Sequence, residues 1–226
     1  MSTALDLVRN LKQAAAKLKT AAVWNGTGLA VDAKRDDYIY ELLCYFRAAD
    51  AAGSGFGLKI AGATATTRNG RRAAKWPKKP GKKANFSYIS LRDFKSGSHE
   101  QFQLCPGVKV TDIHGKARAP DISLLLAGAP AEPTCSHVAG VWDAKYTASE
   151  DARVPDVAVA DFVYTFHQLG SPKPPPTWLG VVSNKEWRCS GVLTNGKEST
   201  EPTAALMASG ISETSEYPSG AVATRP

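Results

Sequence analysis

The chain predicts an α/β protein in which a central mixed sheet is flanked by helices, and three observations lead there. A stretch from Asp32 to Ala52 holds neither Gly nor Pro and repeats apolar residues at helical spacing. Short apolar runs bounded by Gly, Pro and polar residues follow it, as strands do. A second helical pattern, Val154 to Leu169, then stands between two such runs, which requires a crossover connection of the kind that joins strands of one sheet.

Each element has its own signal. Leu5, Val8, Leu11, Ala15, Leu18 and Ala22 trace one face of a first amphipathic helix, and Asn25-Gly26-Thr27-Gly28 ends it in a loop. In the second helix Tyr38, Ile39, Leu42, Leu43, Tyr45, Phe46 and Ala49 form the apolar side, while Lys34, Arg35 and Asp36 take the solvated start. Strands are predicted at Phe56 to Ala61, Asn85 to Phe94, Phe102 to Val110, the run after Asp121, the run ending at Lys145, and Thr177 to Val182. Gly128 to Pro133 has the punctuation of a hairpin loop between the Asp121 and Asp143 runs. Asp156 is placed to cap the Val154 helix and Pro155 suits its first turn. Ser171-Pro172-Lys173-Pro174-Pro175-Pro176 reads as a stiff connector, since proline fits neither a helix interior nor a central strand.

At 226 residues with 43% hydrophobic residues, the chain is long enough for one sizeable core. The expected organisation is a single domain over 1–202 with a basic loop at 63–84, followed by a Ser-, Thr-, Gly-, Ala- and Pro-rich tail over 203–226, loosely ordered apart from a short helix at Ala204 to Ser209. The charged N-terminal stretch excludes a secretory hydrophobic region or a membrane span there, so a cytoplasmic protein with no membrane partner is expected. The four cysteines show no metal-ligand spacing and the four histidines are isolated, which disfavours structural zinc and histidine-metal chemistry. No glycine-rich segment carries a phosphate-loop lysine, and Ser98-His99-Glu100 is a sequence neighbourhood rather than a triad.

The formal net charge of +7 is concentrated. Arg68, Arg71, Arg72, Lys75, Lys78, Lys79, Lys82 and Lys83 crowd one segment, with Gly70, Trp76, Pro77, Pro80 and Gly81 between them. Such a segment suits phosphate contacts, with Trp76 free to stack on a base, although a solubilising basic loop has the same composition.

The chemistry-bearing pattern is Pro120-Asp121 before one apolar run and Asp143-Ala144-Lys145 at the end of the next. If the runs pair antiparallel, the three charged side chains gather at one end of a sheet, with Asp143 and Lys145 on one face because strand side chains alternate. Carboxylate oxygens suit a hard divalent cation, which neutralises charge on a phosphodiester and acidifies bound water. A lysine beside them can orient or deprotonate the water, or stabilise the transition state; spacing does not choose among these roles.

These residues resemble the motif of the PD-(D/E)XK superfamily, the restriction-endonuclease-like nucleases, over roughly Asp32 to Val182. The resemblance implies a restriction-endonuclease-like core, Mg2+ as cofactor with Mn2+ substituting, Asp121 and Asp143 as metal ligands, and Lys145 as the catalytic cation. It further implies Glu41 as a helix-borne metal ligand and Gln168 as a polar residue near the nucleophile, with Asp161 and Tyr164 as neighbours of the same kind. An ordinary boundary glutamate and a solvated helix-end amide look the same in sequence. The implied activity is metal-dependent hydrolysis of phosphodiester bonds in DNA, with RNA left open, as an endonuclease of a restriction, antiviral-defence or mobile-element system. A homodimer or a larger defence-system partner would suit it. The alternative is a nucleic-acid-binding or structural subunit that retains an inactive nuclease fold.

Overall fold

The computed structural model describes residues 4–21, 35–66, 70, 72–94, 99–149, 151–200, 206, 208–215, 217 and 223–225. The loop at Asn25 to Gly28, Asp32 and Lys34, and the basic residues Arg68 and Arg71 lie outside them. The predicted periodicities become helices α1 (Ala4–Ala21) and α2 (Asp36–Ala52). Leu7, Leu11 and Ala14 of α1 are buried in the same cluster as Ile39, Leu42, Leu43 and Phe46 of α2. Burying a side chain of that size contributes about 1.5–3 kcal/mol.

Eight described strands form one sheet. Antiparallel pairing runs through β1 (Phe56–Gly62), β4 (Ser87–Asp93), β5 (Glu100–Pro106), β8 (Ile122–Leu126) and β9 (Val138–Lys145). Beyond β9 the pairing turns parallel, to β10 (Gly191–Thr194) and β11 (Ser212–Ser215), and β12 (Ala223–Arg225) closes the order antiparallel. The sheet is mixed and the class is α/β, as predicted. Two small hairpins stand apart, β2 (Thr64–Thr66) with β3 (Arg72–Ala74) and β6 (Val110–Thr111) with β7 (Ala117–Arg118).

Strand alternation divides the core into two layers. Leu104, Leu124, Trp142 and Leu193 join the α2 cluster, whereas their neighbours Cys105, Leu125, Val141 and Val192 pack with Val159, Phe162 and Phe166 of α3 (Asp156–Gln168). Three expectations are corrected here. Thr177 to Val182 is no strand: Pro176 opens a one-turn helix, α4 (Pro176–Leu179), which buries Trp178, and β10 is the strand that returns to the sheet. Asp156 does not cap α3; Pro155 is the N-cap residue, and the Asp156 carboxylate accepts from the Thr200 N–H and hydroxyl. The tail is not loose throughout, because Ser212–Ser215 is a fully buried strand beside β10, and the Glu213 carboxylate accepts from the Ser199 N–H and hydroxyl. Gly191 permits that pairing, since a Cβ there would meet Ser212 Oγ at 2.3 Å. Among the described residues no helix is long and apolar enough to cross a membrane.

Candidate active site

The site sits where β8 begins and β9 ends, because antiparallel pairing sets Ile122 opposite Trp142. Asp121, one residue before β8, therefore meets Asp143. The Asp121 N–H donates to Asp143 Oδ1 at 3.2 Å, and Asp121 Oδ2 accepts the Ala144 N–H at 2.8 Å. Lys145 Nζ lies 2.7 Å from Asp143 Oδ2, with the Asp143 side chain 16% exposed. The expected grouping of Asp121, Asp143 and Lys145 is thus present, and side-chain alternation along β9 accounts for the last pair.

Two devices hold these residues in place. Trp142 is fully buried, its indole N–H donates to the Glu186 carbonyl at 3.0 Å, and its ring lies 5.4 Å from that of Trp187. β9 is therefore anchored one residue before Asp143. Gly107, at φ +52, turns the chain after β5 and donates its N–H to the Asp121 carbonyl at 2.8 Å, so a left-handed residue fixes the backbone of the carboxylate.

Glu41 reaches the same place from α2. Its position is fixed one turn on, where the Tyr45 hydroxyl donates to the Leu104 carbonyl at 2.9 Å and accepts the Ile89 N–H at 3.1 Å, tying helix to sheet. Glu41 and Asp121 line one cavity of about 120 Å³, together with Arg35, Tyr38 and the Pro77–Pro80 segment. Arg35 donates to the Lys78 carbonyl at 3.4 Å and pairs with Asp37 at 2.7 Å, which brings the basic segment to the mouth of the acidic cavity.

The electrostatics are strained. Burial and then the neighbouring Asp143 and Glu41 push the Asp121 carboxyl well above the usual carboxylate range. Burial, followed by Asp37 and Asp143, raises Glu41 to about 7. Burial alone would lower Lys145, but Asp143, Asp121 and Glu41 outweigh it and hold the ammonium above its ordinary value. Tyr38 is pushed up to about 12 by burial and then by Glu41. Three carboxyl groups share one ammonium, and that is an environment a divalent cation would relieve.

Among the described residues, no group of three His, Cys, Asp or Glu side chains is closed tightly enough to hold a metal ion as it stands. Asp143 spends one oxygen on Lys145 and the other on the Asp121 N–H. The donor set nevertheless has the chemistry of a Mg2+ or Mn2+ site, hard carboxylate oxygens without sulfur or imidazole.

Other expected residues fare differently. Gln168 is not brought to the site. Its carbonyl accepts the Ile113 N–H, and the adjoining Thr111 bridges to Thr134 in the β8–β9 connection, the end of the strands remote from Asp121. Asp161 and Tyr164 are exposed on α3, and the Tyr164 ring stacks on Arg118 at 5.0 Å. Trp76 is not a free stacking platform, because its ring packs against Tyr45 at 5.5 Å and Phe46 at 5.4 Å. Lys83 is buried, donates to the Ala129 carbonyl and lies over the Tyr88 ring, so it does not face a ligand. Lys82 is exposed but pairs with Glu132. Lys75, Lys78 and Lys79 are exposed, and Arg72 stands on β3. Sequence reasoning missed Arg35 and Tyr38 as wall residues and Lys109 beside the basic segment. The first two lie within a helical turn or two of Glu41 and could have been found by asking which residues flank it; Lys109 has no basic neighbour that would single it out.

Comparison of the chain with models of known protein families, with curated proteins and with solved structures finds no match in any of the three.

Proposed function

We propose that this chain is a metal-dependent nuclease of PD-(D/E)XK type that hydrolyses phosphodiester bonds in DNA. The observation that supports the reading best is the pairing of Asp121 with the Asp143-Ala144-Lys145 strand end: the Asp121 N–H donates to Asp143 Oδ1 at 3.2 Å, its carboxylate accepts the Ala144 N–H at 2.8 Å, Lys145 Nζ lies 2.7 Å from Asp143 Oδ2, and Asp121 shares a cavity wall with Glu41. In this reading Asp121 and Asp143, with Glu41, hold Mg2+, or Mn2+ in its place. The bound ion supplies charge neutralisation at the phosphoryl oxygens and an acidified water.

The rest is the work of the chain itself. Lys145, paired with Asp143 at 2.7 Å, sets a positive charge beside the carboxylates, where it would stabilise negative charge developing on the phosphoryl group. Lys78 and Lys79, at the wall of the cavity, draw the anionic polymer towards a centre that would otherwise repel it. Gly107 and Trp142 keep both aspartates in register.

The test is incubation of circular single-stranded DNA, circular duplex DNA and RNA with the purified chain, with and without Mn2+. Metal-dependent conversion of a circle to a linear product is expected, and intact circles under all conditions would refute the reading. A second reading, a nucleic-acid-binding subunit with an idle acidic cluster, is favoured by the Lys145–Asp143 ion pair, which satisfies a carboxylate without metal. Titration calorimetry with Mn2+ separates the two, since only a nuclease has a site lost in both Asp121→Ala and Asp143→Ala.

A further inference from the structure

The acidic cavity adjoins a second depression. Lys78, Lys79 and Pro80 line both, and the second, of about 810 Å³, is also lined by Lys75, Lys82, Lys109 and Phe86. Among the described residues no acidic side chain lines it, although Lys82 is paired with Glu132. Its volume lies in the range of roughly 300–1,000 Å³ that holds compact organic ligands, room for about one or two nucleotides. Phe86 is half-buried beside Gly81, where a Cβ would approach the ring carbons Cε2 and Cζ to 2.8 Å, so glycine allows the backbone to lie close to the ring edge. The backbone at Lys109 is fixed: its N–H donates to the Gly81 carbonyl at 2.8 Å, the Gly81 N–H donates to the Gly107 carbonyl at 3.1 Å, and the Gly107 N–H donates to the Asp121 carbonyl at 2.8 Å. One run of backbone hydrogen bonds thus joins the groove to the main chain of Asp121.

We infer that this groove binds an unpaired nucleic-acid strand, with Lys109 contacting a phosphate and Phe86 a base, and delivers the adjoining phosphodiester to Asp121; the delivery rests on the nuclease reading, the binding does not. A basic groove with an aromatic wall is the arrangement that holds single strands, because phosphates meet the lysines while bases find a flat apolar face. A duplex keeps its bases stacked inside a wide cylinder and cannot lower one into a depression of this size. The 120 Å³ cavity beside the Pro77–Pro80 segment likewise suits a phosphodiester that has left a helix.

The test measures binding apart from cutting. In EDTA, fluorescence anisotropy compares the intact chain's affinity for an oligothymidylate of about 12 nucleotides and for a blunt duplex of equal length. The single strand is expected to bind about tenfold tighter. Lys109→Glu is expected to weaken that binding about tenfold and reduce its salt dependence by about one phosphate contact. Phe86→Leu, checked by circular dichroism, is expected to weaken it several-fold. Equal or tighter duplex binding, indifference to Lys109→Glu, or displacement of the oligonucleotide by polyglutamate of equal charge would each overturn the proposal, the last by assigning the groove to acidic protein segments. Mn2+-dependent cutting of duplex circles at a rate unchanged by Lys109→Glu overturns the groove and leaves the nuclease standing. Lys109-dependent binding with no cutting of any circle supports the groove and removes the nuclease.

Discussion

Two aspartates, Asp112 and Asp121, stand nine residues apart and meet opposite fates. Asp112 accepts the N–H groups of His114 and Lys116, each at 2.8 Å, and pairs with Arg118 at 2.8 Å, so every bond it makes favours the charged form. Although burial opposes ionisation, these partners hold its pKa down at about 2. Asp121 accepts one N–H and faces two further carboxyl groups across a site with one ammonium, and its pKa rises. The first is a satisfied turn that closes the β6–β7 hairpin. The second keeps electrostatic tension that folding alone does not need, and an imbalance of that kind in a cavity makes it a candidate functional site.

The comparison can be broken most severely by removing the charges at the strained end. Asp143→Asn and Lys145→Ala are each expected to lower Mn2+-dependent cleavage by about 10³-fold or more while far-ultraviolet circular dichroism is unchanged; rates on circular DNA measure this. Next in size is a pair of substitutions with opposite signs. Asp112→Asn discards an ion pair and should lower the melting temperature by about 5 °C. Asp121→Asn keeps an acceptor for the Ala144 N–H and relieves repulsion, so the metal-free protein should gain about 1 kcal/mol in denaturant titrations. A loss of stability in Asp121→Asn would show that the carboxylate is structural.

The two ends should also titrate in opposite directions. For Asp112, depressed from 3.8 to about 2, the stabilising contribution is present above pH 3.8 and is lost as pH falls towards 2. For Glu41, raised from 4.5 to about 7, the contribution is complete below pH 4.5 and is lost as pH rises through 7. Denaturant melts of the metal-free protein from pH 4 to 8 should therefore show a decline that Glu41→Gln flattens. The smallest effect is expected at the exposed Lys75, where alanine should weaken DNA binding about two- to threefold and leave the melting temperature unchanged.

Much of this was written locally. The spacing of Tyr38, Ile39, Leu42 and Tyr45 produces α2, and because Glu41 borders that apolar stripe, its arrival beside the sheet follows from helical geometry. The Asp-x-Lys spacing sets Asp143 and Lys145 on one face of β9, and the Gly- and Pro-bearing connection after Leu126 returns the chain so that Asp121 meets Asp143. Periodicity and turn residues are properties of neighbours along the chain, so the sequence by itself determined α1, α2 and α3, the strands β1, β4, β5, β8 and β9, and, once β8 and β9 pair, the Asp121–Asp143–Lys145 grouping.

Only the tertiary structure decided which basic and aromatic residues line the two cavities and which turn into the core. Trp76 and Lys83 sit in the same cationic segment as Lys78 and Lys79, yet long-range contacts, of Trp76 with Tyr45 and Phe46 and of Lys83 with the Ala129 carbonyl, draw the first two inward. Gln168 lies on a correctly expected helix but at the wrong end of the sheet, and Ser212–Ser215, polar in composition, is buried by pairing with β10. Lys109 enters the groove through the Gly81–Gly107 contacts. Burial and convergence arise from contacts between residues far apart in the chain, and no local pattern encodes which of several similar side chains those contacts will cover.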